Sequence, residues 1–167
     1  MTLLNIIKCS DVEEAKSQLA ILIQRAYDEV EDAEQFSVGL SGGSLPAVLS
    51  DVFLKVNTNW KKWKFFFCDE RLVSFSDPES TFGAYKKTVM EKIPEISLNQ
   101  FVTIDPSLKA QDAAYDYISK MRHIFLGRPD ADLPSLDLLF LGMGPDGHTC
   151  SLFPDHFLLK VNRLSLN

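Results

Sequence analysis

Three consecutive phenylalanines, Phe65-Phe66-Phe67, lie in a run from Lys64 to Cys68 that stops at Asp69-Glu70-Arg71. The run is too short for a helix, and it has no polar alternation that would give water one face. It predicts a strand buried on both sides, the kind found in parallel sheets with helices packed above and below. Its neighbours agree. Residues 36–40 and 136–141 are further short apolar runs, and 101–104 is a fourth, ended by Asp105-Pro106. Between them lie stretches with apolar residues at helical spacing: 11–32 behind a Ser10/Glu13 capping-box pattern, a segment from Pro46 with Val48, Leu49, Val52, Phe53 and Val56 on one side, 81–91, and 109–126 before Gly127. Strands alternating with helices predict βαβ units and an α/β fold, a Rossmann-like parallel sheet with helices on both faces.

In such sheets, ligands bind beyond the carboxyl ends of the strands. Three of the four strand runs lead directly into polar or glycine-bearing segments: Ser41-Gly42-Gly43-Ser44, Asp69-Glu70-Arg71, and Gly142-Met143-Gly144-Pro145-Asp146-Gly147-His148. All three ends fall on one edge, so one shared site is expected. At Ser41–Ser44 the glycines let the backbone approach an anion, and the start of the next helix supplies unpaired N–H groups with a partial positive charge. A tight turn with a helix cap is the plainer reading of that segment alone. Histidine has an ordinary pKa near 6.5, which makes His148 the candidate base at neutral pH, with Asp146 two residues away to orient it. Arg71 carries a planar fork suited to a phosphate or to a developing oxyanion, and both roles stay open.

Gly39-Leu40-Ser41-Gly42-Gly43 also matches the GxSxG nucleophile elbow, which would make Ser41 a serine-hydrolase nucleophile. The elbow follows the first strand and no HGGG-type segment accompanies it, so this is the weaker reading. The GxGxxG at 142–147 lacks the acidic residue of a following strand and reads as coincidental glycine use. Asp146, His148 and His156 match no standard metal spacing, and His123 falls in a helical run.

Composition narrows the ligand. The 167 residues fit one domain on a prior of ~100–200 residues. Seventeen Lys plus Arg against 23 Asp plus Glu give a net charge of −6, which excludes a non-specific nucleic-acid or anionic-membrane binder. An anionic ligand must then be held by local geometry. Cys9, Cys68 and Cys150 are too few and too scattered for a disulfide framework and fit a reducing cytosol; Cys68 and Cys150 read as small core residues. The N-terminal stretch lacks a signal-peptide pattern, and no apolar run approaches the ~18 residues of a membrane span.

Leu40-Ser41-Gly42-Gly43-Ser44, Cys68-Asp69-Glu70-Arg71-Leu72-Val73 and Gly142 through Pro154 together resemble the 6-phosphogluconolactonase family, in order and spacing, from about Phe36 to about Leu159. The related glucosamine-6-phosphate deaminases share the fold and the first and third motifs. The resemblance implies hydrolysis of 6-phosphoglucono-δ-lactone to 6-phosphogluconate in the oxidative pentose phosphate pathway, with no cofactor and no metal; the alternative is a catalytically impaired, sugar-phosphate-binding fragment of that family. The implied catalytic residues are His148, Asp146 and Asp69, and the implied phosphate ligands are Ser41, Gly42, Gly43, Ser44 and Arg71. The implied partner is a small sugar-phosphate lactone, with no nucleic acid and no membrane, and the protein is expected to be a cytoplasmic monomer. Where the deaminases carry a Glu five positions after the histidine, this chain has Phe153, which favours lactone hydrolysis. Departures are Leu45 for a usual Thr, Asp77-Pro78-Glu79-Ser80 for an Asp-His start, and Phe157 for a frequent Pro. Relatives continue for several strands and helices. Residues 1–160 are therefore expected to form one incomplete lactonase-like domain, its C-terminal strands and helices missing, with 161–167 a divergent tail. An apolar patch and an open sheet edge are expected to be exposed.

Overall fold

The structure, a computed structural model, describes residues 4–30, 34–125 and 134–161. Strand β1 (Phe36–Leu40) lies at the centre of the sheet. It pairs in parallel with β2 (Trp63–Phe67) on one side and with β3 (Leu138–Leu139) on the other. A parallel bridge from Phe65 to Phe101 adds a fourth element outside β2. Parallel neighbours need a crossover. Helix α2 (Leu45–Val52) provides it between β1 and β2. The chain builds outward from β1 to β2 to Phe101, then returns to the opposite side of β1. The strand order therefore reverses between β1 and β3, and a crevice opens there beyond the carboxyl ends.

The phenylalanine run explains the layering. Phe65 and Phe67 join the larger core, where Ile23 of α1 (Val12–Asp28), Leu49 and Val52 of α2, and Tyr85 of α3 (Thr81–Tyr85) pack with Phe36, Val38 and Leu40. Phe66, pointing to the opposite face, packs with Phe125 of α4 (Ala110–Phe125) and with Val102, with Tyr117 and Met121 alongside. Alternation along one strand thus buries it under helices on both sides, as the sequence predicts. Trp63, Phe36 and Tyr27 form a nest of rings at the start of the strands, with Phe36 and Trp63 edge-to-face at 4.7 Å.

Several sequence expectations shift. Asp11, not Ser10, caps α1: its side chain accepts the Glu14 N–H at 2.8 Å, while the Glu14 carboxylate accepts the Ser10 N–H at 2.6 Å. The box is displaced by one residue because Asp11 is extended (φ −155°) and its carboxylate is an equally good acceptor. Helix α1 ends at Asp28 rather than at 32. The 81–91 helix is α only to Tyr85 and continues as a π-helical turn over Lys86–Met90. The 101–104 strand reduces to the Phe101 bridge, supported by Val102 N–H donating to Phe65 O at 2.8 Å. The 136–141 strand reduces to β3, whose entry is pinned by Asp137: its carboxylate accepts the Ser37 N–H at 2.7 Å and the Ser37 hydroxyl at 2.5 Å. The expected stop at Gly127 and nearly all of the 161–167 tail lie outside the described residues. Among those described, β3 is the outer strand, and Leu139, Leu141 and Met143 on and after it are exposed. No helix among them is long and apolar enough to cross a membrane.

Asp51 ties the helices of the larger core together. Lys16 Nζ of α1 reaches Asp51 Oδ2 at 2.9 Å, and Lys92 Nζ, beyond the π-helical turn, reaches Oδ1 at 2.5 Å. The hydrogen bond from Lys92, then that from Lys16, hold the Asp51 carboxyl at about 2, below its ordinary 3.8. A carboxyl lowered by folding stabilises the fold fully above its unfolded value and loses that contribution as pH falls through its folded value. Asp51→Asn is therefore expected to lower the melting temperature at pH 7, and the gap to wild type is expected to close as the pH is taken from about 4 down through about 2. Thermal melts of both proteins across that range check this.

Candidate functional site

All three strand-end segments open onto a single cleft of about 410 Å³. Ser41, Gly42, Gly43 and Ser44 line it from the end of β1, Asp69 and Arg71 from the end of β2, and Gly144 and His148 from the segment after β3. Of the eight residues singled out by sequence, only Asp146 does not line it; it stands behind His148. This convergence follows from the register. Phe67 is opposite Leu40 and Leu139 is opposite Gly39, so the three parallel strands finish level.

The β1–α2 turn is built for backbone exposure. Gly43 has φ +69°, a left-handed conformation that a side chain would strain. Ser44 occupies the cap position of α2, but its side chain makes no capping hydrogen bond. Pro46 lies in the first turn, where the absence of its N–H costs nothing. The remaining first-turn N–H groups have no partner within the helix and carry its partial positive charge. The turn is fastened from below by Tyr85, whose hydroxyl donates to Ser41 O at 3.0 Å. Ser41 itself is buried. No hydrogen bond joins it to an imidazole among the described residues, so the elbow pattern is not assembled as a nucleophile and base.

His148 is held on several sides. Its Nδ1 lies 2.5 Å from Asp146 Oδ1, and its backbone N–H also donates to that oxygen at 3.3 Å. These bonds, the ring's first, hold the Asp146 carboxyl below the usual carboxylate range, so it is ionised at neutral pH. An ionised Asp146 accepts a proton-bearing Nδ1 and leaves Nε2 with the lone pair. Gly144 N–H donates to His148 O at 2.8 Å, and a Cβ on Gly144 would lie within 2.1 Å of the imidazole. The glycine is the berth of the ring. Phe153 covers the ring, with centroids 4.4 Å apart and planes at 31°.

The acidic strand end divides its labour. Asp69 Oδ2 accepts the Ser151 hydroxyl at 2.8 Å, while Oδ1 is buried without a partner. Arg71 stands at the exposed rim, its guanidinium donating to Glu79 Oε2 at 2.8 Å. Glu70 does not face the cleft. It accepts the Thr81 and Phe82 N–H groups, each at 2.8 Å, and so caps the start of α3 from a distance in sequence. His156 caps a short turn through Leu158 N–H, and His123 is exposed on α4, so neither meets His148. Among the described residues no group of three or more His, Cys, Asp or Glu side chains is gathered for a metal. The cysteines differ from the core residues expected of them: Cys68 is exposed and Cys150 half-buried at the cleft. Although Cys68 as a residue is exposed, its thiol is partly desolvated, and this, then neighbouring Cys150 and Asp69, push the thiol up to about 12.

This arrangement can hold an anion at one end of the cleft and present a base at the other. The chain matches the model of the family described as Glucosamine-6-phosphate isomerases/6-phosphogluconolactonase over residues 10–166. The chain belongs to this family. It is 44% identical over 158 residues to the rat protein named 6-phosphogluconolactonase, covering 90% of this chain and 60% of that one. Among solved structures, 6-phosphogluconolactonase of Thermotoga maritima matches with a TM-score of 0.69 at 26% identity over 83% of this chain and 60% of its own. The Leishmania guyanensis 6-phosphogluconolactonase shares the fold at a TM-score of 0.75 and 24% identity, covering 93% of this chain and 66% of its own. The chain spans about 60% of the length of the curated relatives it matches.

Sequence reasoning missed Glu70, Ser151 and Gly144 as supports of the site. Only their proximity to the motif residues marked them. Glu70→Ala leaves the Thr81 and Phe82 N–H groups without their acceptor, while Ser80 still caps Gly83, and is expected to destabilise the fold by about 1–2 kcal/mol, as loss of a cap does. Urea unfolding of the variant against wild type measures it.

Proposed function

We propose that this member of the family hydrolyses 6-phosphoglucono-δ-lactone to 6-phosphogluconate. The observation that carries the reading is that His148, with Nδ1 bound to Asp146, and the Gly42–Ser44 turn at the start of α2 line one cleft. The substrate's phosphate lies on the Gly42, Gly43 and Ser44 turn, against the first-turn N–H groups of α2. Ser41, buried beneath the turn, fixes its backbone, and Arg71 turns from Glu79 to the phosphate as the ligand enters. Fixed dipoles and one guanidinium suffice to hold a dianion on a chain of net charge −6.

At the other end, Nε2 of His148 takes a proton from water while the water oxygen bonds to the lactone carbonyl carbon. The resulting tetrahedral oxyanion collapses, the ring C–O bond breaks, and the imidazolium returns its proton to the departing ring oxygen. Asp146 keeps the other ring nitrogen protonated throughout and stabilises the charged imidazolium between the two transfers. The unpartnered Oδ1 of Asp69 accepts from a substrate hydroxyl or from the attacking water, with Ser151 holding the opposite oxygen. Phe153, where the deaminase pattern has a glutamate, supports hydrolysis over deamination because it offers His148 no proton-carrying partner. We place the protein in the cytoplasm as a monomer, a setting in which three free cysteines are stable.

His148→Ala is expected to lower kcat by about 10²–10⁴-fold, the usual worth of general-base help. Ser44→Ala is expected to raise KM with little change in kcat, since it touches only the phosphate. Lactone disappearance, corrected for spontaneous hydrolysis, measures both. A His148→Ala variant with wild-type turnover contradicts the assignment.

A further inference from the structure

We propose that Phe153 is a positioning residue for His148, fixing the plane of the imidazole so that Nε2 faces the cleft. The proposal rests on the reading of His148 as the base. Phe153 is half exposed and belongs to neither hydrophobic core, so burial does not account for its place. It does not line the cleft either. Its ring packs against His148, at 4.4 Å between centroids and 31° between planes.

The chain is turned back to make that contact. Leu152 N–H donates to Thr149 O at 3.0 Å, Cys150 adopts φ +52° within the turn, and His156 N–H donates to Phe153 O at 3.1 Å. A tight reversal therefore starts one residue after His148 and delivers Phe153 onto its ring.

The physical need is one of degrees of freedom. A histidine side chain turns about two bonds. The Nδ1 contact with Asp146 fixes one point of the ring, yet the plane can still swing about the line through that hydrogen bond. Gly144, lacking a Cβ, leaves the ring its berth but does not grip it. A planar group on the ring face removes the remaining swing, at the modest energy typical of offset aromatic contacts. Because proton transfer depends steeply on the direction of the lone pair, an error of about 1 Å can cost about 10²-fold in rate. Such a residue acts on kcat and leaves substrate affinity alone.

The test measures Phe153→Ala, Phe153→Leu and Phe153→Tyr beside wild type in two ways. In lactone hydrolysis, Phe153→Ala and Phe153→Leu are expected to lose about 10–100-fold in kcat with KM within about threefold, and Phe153→Tyr, which keeps a planar ring, to stay within about threefold of wild type. In NMR, the His148 ring protons are expected to show one set of Overhauser contacts to Gly144 in wild type and Phe153→Tyr, and weakened, averaged contacts in Phe153→Ala and Phe153→Leu. Wild-type kcat in Phe153→Leu, a change confined to KM, a Tyr variant as impaired as the Ala variant, or unchanged Overhauser contacts of the His148 ring in the Leu variant each overturn the proposal. If wild type shows no turnover above spontaneous hydrolysis, the lactonase reading fails, and the Overhauser measurement still decides the role of Phe153. If Phe153→Ala does not fold, Phe153→Leu, which keeps apolar bulk without a flat face, decides it.

Discussion

The parallel pairing of β1 with a neighbour on each side is the constraint from which the site follows. Because β2 and β3 run the same way as β1 and finish level with it, three loops must emerge at one edge. Because the chain turns outward after β1 and returns on its other side, the loops after β1 and β3 are left facing one another across a gap. The glycine turn and the histidine segment are about a hundred residues apart in sequence, and this topology brings them together. The Ser37–Asp137 bonds fix β3 in register against β1, and so fix the height at which His148 is presented.

The site separates charge handling from proton handling. The anion end relies on backbone geometry: a left-handed glycine, a serine free of capping duty and a helix start. Such dipoles are fixed before ligand arrives and need no net positive charge. The proton end relies on side chains locked by neighbours, with Asp146 on a ring nitrogen and Gly144 and Phe153 against the ring. Arg71 belongs with the first group, poised at the rim on an ion pair weak enough to exchange, since both partners are more than half exposed.

The sequence was most legible where periodicity or strand ends governed. Phe65, Phe66 and Phe67 announced a strand covered on both faces, and the polar segments following the strands announced a common edge. Both readings needed only the alternation of a strand and the rule for parallel sheets. Legibility failed where a loop side chain is recruited at a distance. Nothing in Asp69-Glu70-Arg71 distinguishes Glu70, which turns away to cap α3, from its neighbours, which face the cleft. Ser151 and Phe153 follow His148 in a stretch with no period, and only the reversal at Thr149–Leu152 decides that one reaches Asp69 and the other covers the imidazole. The cap of α1 moved from Ser10 to Asp11 because two equally good acceptors stand side by side.

The central claim is that one ligand spans the glycine turn and the histidine. Titration of the isotopically labelled protein with 6-phosphogluconate, followed by NMR, tests it most directly. The account expects the backbone amides of Gly42, Gly43 and Ser44 and the imidazole nitrogens of His148 to shift together and saturate at the same ligand concentration. Shifts at the turn that saturate while His148 stays unmoved, or the reverse, would contradict it.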